Sequence, residues 1–315
     1  MMSEPEKNET GMTDETAPPA PSGPVADRAE GDAKQPQKVN WLAEIRGLAV
    51  MLLAVLAFHS LIAKPFYIPS ESMMPNLLVG DRLVVSKYPY GWSWVSTSFH
   101  LLPRSDGRIA GKTPQYGDIV IAVPPDRPED YIKRVIGLPG DRIALVNGRI
   151  ILNGKPVARE VIPPVQIPID ANSPCEPAVY GDAQVRLPSG KAVCELEAYR
   201  ETLPNGATYT VIDHLEQSLD NRDEITVPEE HVFLMGDNRD HSADSRAPDA
   251  LHGGNGLGGP VPLSSVGGRA EFLTFSLDGS MTLNPLTWWG AFRSGRAWTS
   301  LRPAITVNGG KDGAN

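Results

Sequence analysis

Two serines stand two positions apart in Ser70-Glu71-Ser72-Met73-Met74-Pro75, a few residues after the long apolar run from Gly47 to Ala63. A serine hydroxyl needs a base before it can attack a carbonyl. The Gly-x-Ser-x-Gly elbow, the His-Glu-x-x-His zinc signature and a cysteine nucleophile with a histidine partner are all missing from the sequence. His59 falls inside the apolar run, and His100, His214, His231 and His252 stand singly. They suggest neither a metal site nor a cofactor. A lysine amine can serve as base if it is neutral. Its usual pKa of about 10.4 must then fall by roughly three units, which sets about 4 kcal/mol against the ammonium, and desolvation can supply that. The segment Asp130-Tyr131-Ile132-Lys133-Arg134-Val135-Ile136-Gly137 offers such a place. As a strand it puts Tyr131, Lys133 and Val135 on one face and Ile132, Arg134 and Ile136 on the other. Lys133 would sit among apolar neighbours while Arg134 reaches water or a carboxylate. An edge-strand lysine kept outside to discourage aggregation fits the same pattern.

Other elements must bring these groups together. The apolar run reads as one transmembrane helix near the short end of the ~17–25 residues needed to span a bilayer, bracketed by Arg46 and Lys64. A cleaved signal peptide fits less well, because the leader is long, acidic and Pro-rich and no Ala-x-Ala site follows the run. Arg28, Lys34, Lys38 and Arg46 on the near side outnumber Lys64 and Arg82 on the far side, which places the N-terminus in the cytoplasm. The expected organisation is a disordered tail over 1–40, an anchor over 41–64, an outer domain over 65–280 and an aromatic C-terminal segment over 281–315. Within the outer domain the core is 65–154 and 227–280, and 155–226 is an insert.

The 315 residues, with net charge −9 and 41% hydrophobic content, suffice for one sizeable domain, and nothing strongly basic points to nucleic acid. The tail has almost no large apolar residue and cannot bury enough surface to fold. Beyond Phe66, Gly80-Asp81, Gly117-Asp118 and Gly140-Asp141 each lead into short apolar runs that read as turn-then-strand units. Asn147-Gly148 between two such runs predicts a hairpin, since a type I′ turn needs positive φ at both central residues. Further strands are expected at 230–235 and 270–275. The fold class is therefore mainly β, an antiparallel-sheet domain with a β-rich or irregular insert, preceded by one transmembrane helix. Cys175 and Cys194 both fall on the outer side, where a periplasm permits pairing; two buried free thiols are the alternative. Gly253 to Gly259 lacks the Lys-Ser/Thr and helix of a phosphate cradle and reads as a flexible surface loop. Trp288 to Trp298 mixes aromatics with arginine, as either a short interfacial helix on lipid or an ordinary packed segment does.

Three blocks now combine. Ile68 to Leu77 with Gly80-Asp81, Tyr131 to Arg134 with Gly137 to Asp141, and Gly236 to Arg246 occur in that order, and together they resemble bacterial signal peptidase I over roughly residues 47–275. The resemblance implies Ser72 as nucleophile and Lys133 as general base. It implies Ser70 and the Ser72 N–H as oxyanion hole, and Ser242 as a hydroxyl that bonds and orients the lysine. Asp244 and Arg246 become a supporting ion pair, and Asp237 and Arg239 help shape the same loop. An extended substrate would add beside Pro69, Ser70, Asp130, Tyr131 and Ile132. Ile68, Met73, Leu77 and Tyr131 would line the pocket before the cut, and Phe66, Leu83, Ile121 and Ile132 the one two residues upstream.

The implied activity is hydrolysis after Ala-x-Ala through an ester acyl-enzyme, on preprotein signal peptides, beside membrane lipid and near the secretion translocon. The implied location is the bacterial inner membrane, single-pass, with the catalytic domain periplasmic. Two departures from the family pattern stand out. Glu71 lies between the motif serines, and His241 replaces a common asparagine, which leaves a Ser-His pair as an alternative. A dedicated maturation peptidase with narrow substrates and a catalytically silent peptide-binding β domain are the rival functions.

Overall fold

The computed structural model describes residues 40–97, 103–124 and 126–306; the expected tail up to residue 39, His100 and the end of the C-terminal segment lie outside them. Two compact units are distinguished, residues 1–46 and 47–315. The described part of the first is the opening of a helix, Trp41–Leu61, of 21 residues with none buried. At 1.5 Å per residue it is about 32 Å long, enough for a hydrocarbon core of ~30 Å. It is long and apolar enough to cross a membrane. It starts earlier than the apolar run and takes in Glu44 and Arg46. It stops at Leu61 rather than Ala63 because Ala63–Tyr67 pairs as a strand with Asp81–Ser86. Pro65 also disfavours helical backbone at Lys64.

In the described remainder the named strands all pair antiparallel, joined by loops and short helices. A seven-stranded sheet runs in the order Ala63–Tyr67, Asp81–Ser86, Val266–Ser276, Ile119–Ala122, Tyr131–Gly137, His231–Met235, Val261–Pro262. The three Gly-Asp turns each lead into a strand, as their composition predicts: Asp81–Ser86, Ile119–Ala122 and Arg142–Val146. The Asn147-Gly148 hairpin forms with φ of 49° and 73° at its two central residues, joining Arg142–Val146 to Arg149–Leu152 in a four-stranded sheet.

The segment 155–226, expected to be β-rich or irregular, carries two long strands and shorter elements joined by stretches without regular structure. Ala158–Pro168 and Ala192–Thr202, eleven residues each, pair through most of their length. With Gln184–Arg186, Ala207–Ile212 and Ala304–Ile305 they make a five-stranded sheet. Its prolines mislead a sequence reading because Pro163 and Pro164 lie where the register shifts, and Ala158–Pro168 has a pairing partner on one side only, a position that tolerates a missing N–H.

The C-terminal segment packs in part on the domain. Arg293 holds Asp170 at 2.8 Å and Arg296 holds Asp81 at 2.5 Å, while Leu286 and Trp289 in the Pro285–Ala291 3-10 helix stay exposed. The 253–259 loop is likewise more than a free surface loop. Leu257 is buried in an apolar cluster with Val135 and Val261, and the Asn255 carbonyl accepts the Tyr131 hydroxyl at 2.9 Å.

Candidate active site

Lys133 lies on an interior strand of the seven-stranded sheet, just before the point where that strand gains its second partner. Its strand is paired with Ile119–Ala122 on one side, with Val120 opposite Lys133, and with His231–Met235 on the other. Alternation along the strand sends its neighbours to separate places: Val135 and Tyr131 to one cluster, Ile132 to a second, Ile136 to a third. Arg134 points away from Lys133 and donates to both Asp237 oxygens, at 2.7 and 2.6 Å. It also donates to the Gly117 carbonyl and faces the Tyr209 ring. Lys133 is left buried, with its Nζ 2.7 Å from Ser72 Oγ and 5.5 Å from the Tyr131 ring centre. Burial lowers its pKa to about 8; Asp244 and Asp237 oppose that shift and Arg246 adds to it.

Ser72 is brought there by a turn whose backbone is tied down at several points. Gly80 N donates to Ile68 O, and Leu78 N donates to the Asp81 carboxylate at 2.8 Å. Gly80 has φ 98°, and a Cβ there would stand 2.1 Å from the Leu277 carbonyl oxygen, so this turn requires glycine. The Ser72 carbonyl accepts Asn238 N at 3.1 Å, and Asn76 donates to Asp237 at 2.7 Å. The serine turn and the 236–246 loop are thus stitched together through Asp237, which also carries Arg134. Ser70 Oγ lies 3.4 Å from Ser72 Oγ.

The 236–246 loop is held by buried ion pairs. Arg246 pairs with Asp244 at 3.0 Å. Burial by itself would raise the Asp244 carboxyl, but the Arg246 charge and hydrogen bonds from Gly236 N and Arg246 N hold it below the usual range. Arg239 is fully buried and pairs with Glu201 of the Ala192–Thr202 strand at 2.5 Å. The five-stranded sheet also meets this loop by backbone: Ile212 N donates to Asp237 O, and Arg239 N to Ile212 O.

Ser242 lines the same cleft as Lys133 and Ser72, but the bond expected between Ser242 and the lysine is not formed. Its Oγ is buried without a hydrogen-bond partner among the described residues, and it lies over Gly236, where a Cβ would stand 2.2 Å from it and 2.5 Å from the Ser72 carbonyl oxygen. Gly236 is therefore a site residue that sequence reasoning passed over; its signal was a glycine opening the charged loop. His241 lies against the Tyr180 ring, 5.2 Å between centres, so Ser72 Oγ is bonded to a lysine and not to this histidine. Among the described residues no group of three or more His, Cys, Asp and Glu is arranged to hold a metal ion.

The family model for signal peptidase, peptidase S26, matches residues 40–275. The chain belongs to this family. It is 33% identical over 257 residues to a signal peptidase I of Rickettsia typhi, covering 78% of this chain and 82% of that one. It is 34% identical over 260 residues to that of Rickettsia prowazekii, covering 78% and 82%. Among solved structures, a signal peptidase I from Enterococcus faecalis V583 is similar at 22% identity, over 50% of this chain and 97% of that one, with a TM-score of 0.26.

Family membership makes the chain a serine endopeptidase, a hydrolase. The open space beside its Ser72 and Lys133 is a cleft of about 560 Å³ lined by Pro69, Ser70, Asp130, Tyr131, Ile132, His241, Ser242 and Asn255 among others. The predicted substrate residues divide here. Pro69, Asp130, Tyr131 and Ile132 face the cleft. Ile68, Met73, Leu77, Leu83 and Ile121 form one buried cluster with Ile132, and Phe66 packs partly buried against it. Cys175 and Cys194 are joined to each other, remote in sequence from the blocks that carry the chemistry.

Proposed function

We propose that this member of the signal peptidase family removes signal peptides from exported preproteins after small residues, using Ser72 as nucleophile and Lys133 as base. The observation that carries the reading is the 2.7 Å contact between a buried lysine amine of pKa about 8 and a serine hydroxyl. The neutral Lys133 takes the Ser72 proton as Oγ attacks the scissile carbonyl. The ammonium then protonates the departing amine, leaving an ester on Ser72, and the regenerated amine activates the water that hydrolyses it. The developing oxyanion is met by the Ser72 N–H and the Ser70 hydroxyl, donors of a kind worth a few kcal/mol to the transition state (about 2.7–4).

Substrate choice follows from packing and from an open sheet edge. The Tyr131–Gly137 strand meets His231–Met235 from Arg134 onward, so on that side Tyr131 and Ile132 have no strand partner among the described residues. An extended peptide can add there. The buried cluster that includes Ile132 is already filled, with Met73, Leu77 and Leu83 at 0% exposure, which leaves shallow pockets suited to alanine-sized side chains. We place the Trp41–Leu61 helix in the inner membrane with the N-terminus cytoplasmic and the catalytic domain periplasmic. There the site meets substrates held by their own apolar segments, close to lipid and to the translocon.

The test is cleavage of a preprotein bearing an Ala-x-Ala site by the detergent-solubilised protein. Wild type should cut after the second alanine, Ser72→Ala should be inert, and Lys133→Ala should lose about 10²-fold or more of the activity. Cleavage that survives Lys133→Ala and is lost in His241→Ala would move the base to histidine. Binding of the signal peptide with no cleavage by folded wild type would favour a peptide-binding module.

A further inference from the structure

Glu71, wedged between the two motif serines, does not point freely into solvent. Its carboxylate accepts the Tyr180 hydroxyl at 2.5 Å, across 109 positions of sequence. Tyr180 closes the short helix Pro177–Tyr180, which begins two residues after Cys175, and Cys175 is bonded to Cys194 in the strand Ala192–Thr202. The disulfide packs in one buried cluster with Tyr180 and with Met74 and Leu78 of the serine turn. Tyr180 is thus held between the serine turn and the 236–246 loop, with the His241 ring 5.2 Å and the His214 ring 6.1 Å from its own. His214 Nδ1 in turn lies 2.7 Å from Asp240. Burial and the Glu71 carboxylate push the phenol well above its ordinary range, so it stays a donor throughout working pH.

The backbone torsions of Glu71 set how the Ser70 hydroxyl and the Ser72 N–H are aimed relative to each other, and a side chain clasped at its far end restricts those torsions. We propose that Tyr180 is a positioning residue for cleavage. Its hydroxyl, clasped to Glu71, fixes the Ser70–Ser72 turn in the orientation that meets the oxyanion, and the Cys175–Cys194 bond fastens Tyr180 in place. The inference rests on Ser72 and Ser70 acting as described under the proposed function. It also assigns a task to the insert, which supplies the clasp.

The experiment measures kcat and KM for the same Ala-x-Ala preprotein with the full chain in detergent, with thermal unfolding recorded for each variant. Tyr180→Phe and Glu71→Ala should each lower kcat about tenfold with KM within about twofold, the mark of a group that acts on the transition state. Combined, they should cost no more than either one, since they remove the same contact. Glu71→Gln, whose amide oxygen still accepts the phenol, should retain most of the rate. Replacing Cys175 and Cys194 by serine should lower kcat in the wild-type background and add nothing to Tyr180→Phe. An unchanged kcat in Tyr180→Phe, losses that multiply in the double variant, or a change confined to KM would overturn the proposal. Should Tyr180→Phe fail to fold, Glu71→Ala against Glu71→Gln decides the same question. Ser72→Ala run in parallel separates the two readings: activity there would mean that the site itself is misassigned, whatever Tyr180 does.

Discussion

Lys87 and Lys133 are equally buried, each 3% exposed, and burial lowers both to a pKa of about 8. Their surroundings differ. Lys133 lies against a serine hydroxyl at 2.7 Å. Lys87 follows the Asp81–Ser86 strand, and its ammonium end lies near Gly267, where a Cβ would be 3.6 Å from Nζ. The charges acting on it are Lys64, which lowers its pKa further, and Asp130, which raises it. Among the described residues desolvation lowers both of these amines to a pKa of about 8, and the Ser72 hydroxyl beside Lys133 is what makes that lysine a base. A lowered pKa identifies a candidate; reach to the reacting proton selects among candidates.

Lys133→Ala gives the most direct test of which lysine is the base. Lys133→Ala should lower kcat/KM by about 10²–10⁴-fold, the range a positioned base contributes, as measured on the Ala-x-Ala preprotein. The pH profile gives the next largest effect. The neutral amine is the active form, so kcat/KM should climb about tenfold per pH unit from acid pH and level off near pH 8. An unperturbed lysine would keep climbing to about pH 10.4.

Asp244→Asn sharpens the point electrostatically. Asp244 raises the Lys133 pKa and Arg246 lowers it, so removing the carboxylate charge should move the acid limb of the profile to lower pH. The same change leaves Arg246 buried without its partner, and thermal unfolding should register a loss of about 3–5 kcal/mol. The smallest effect is expected at Lys87. Lys87→Met should leave the position of the acid limb unchanged and kcat/KM within about threefold, since no transition-state contact is lost. An acid limb that follows Lys87 instead of Lys133 would reverse the assignment of the two lysines.

Much of the core fold was legible because its signals are local. The Gly-Asp turns and the Asn147-Gly148 hairpin state their backbone needs in the residue types themselves, and the alternation through Tyr131 to Ile136 separates Lys133 from Arg134 before any packing is known. The five-stranded sheet was not legible. Its long strands carry prolines at an edge, and its exposed faces blur the period of two. The partners of Arg239 and Glu71 were also hidden. Glu201 and Tyr180 come from that sheet and its connections, 38 and 109 positions away, and such pairings exist only once the sheets have packed. Ser242 shows the converse: its place in the charged loop is plain from sequence, yet its hydroxyl ends over Gly236 without a hydrogen-bond partner among the described residues.

Residue type and local period alone set which groups this protein has for chemistry. A serine pair follows an apolar helix, a lysine alternates with apolar residues in a strand, and a charged loop opens with glycine, because residue type and local period are properties of the chain. Packing settles that Lys133, rather than Lys87, lies against a serine hydroxyl, that Glu201 holds Arg239, and that Tyr180 restrains Glu71. Distances of about 3 Å between residues tens of positions apart are set by how sheets pack, and no local pattern encodes them.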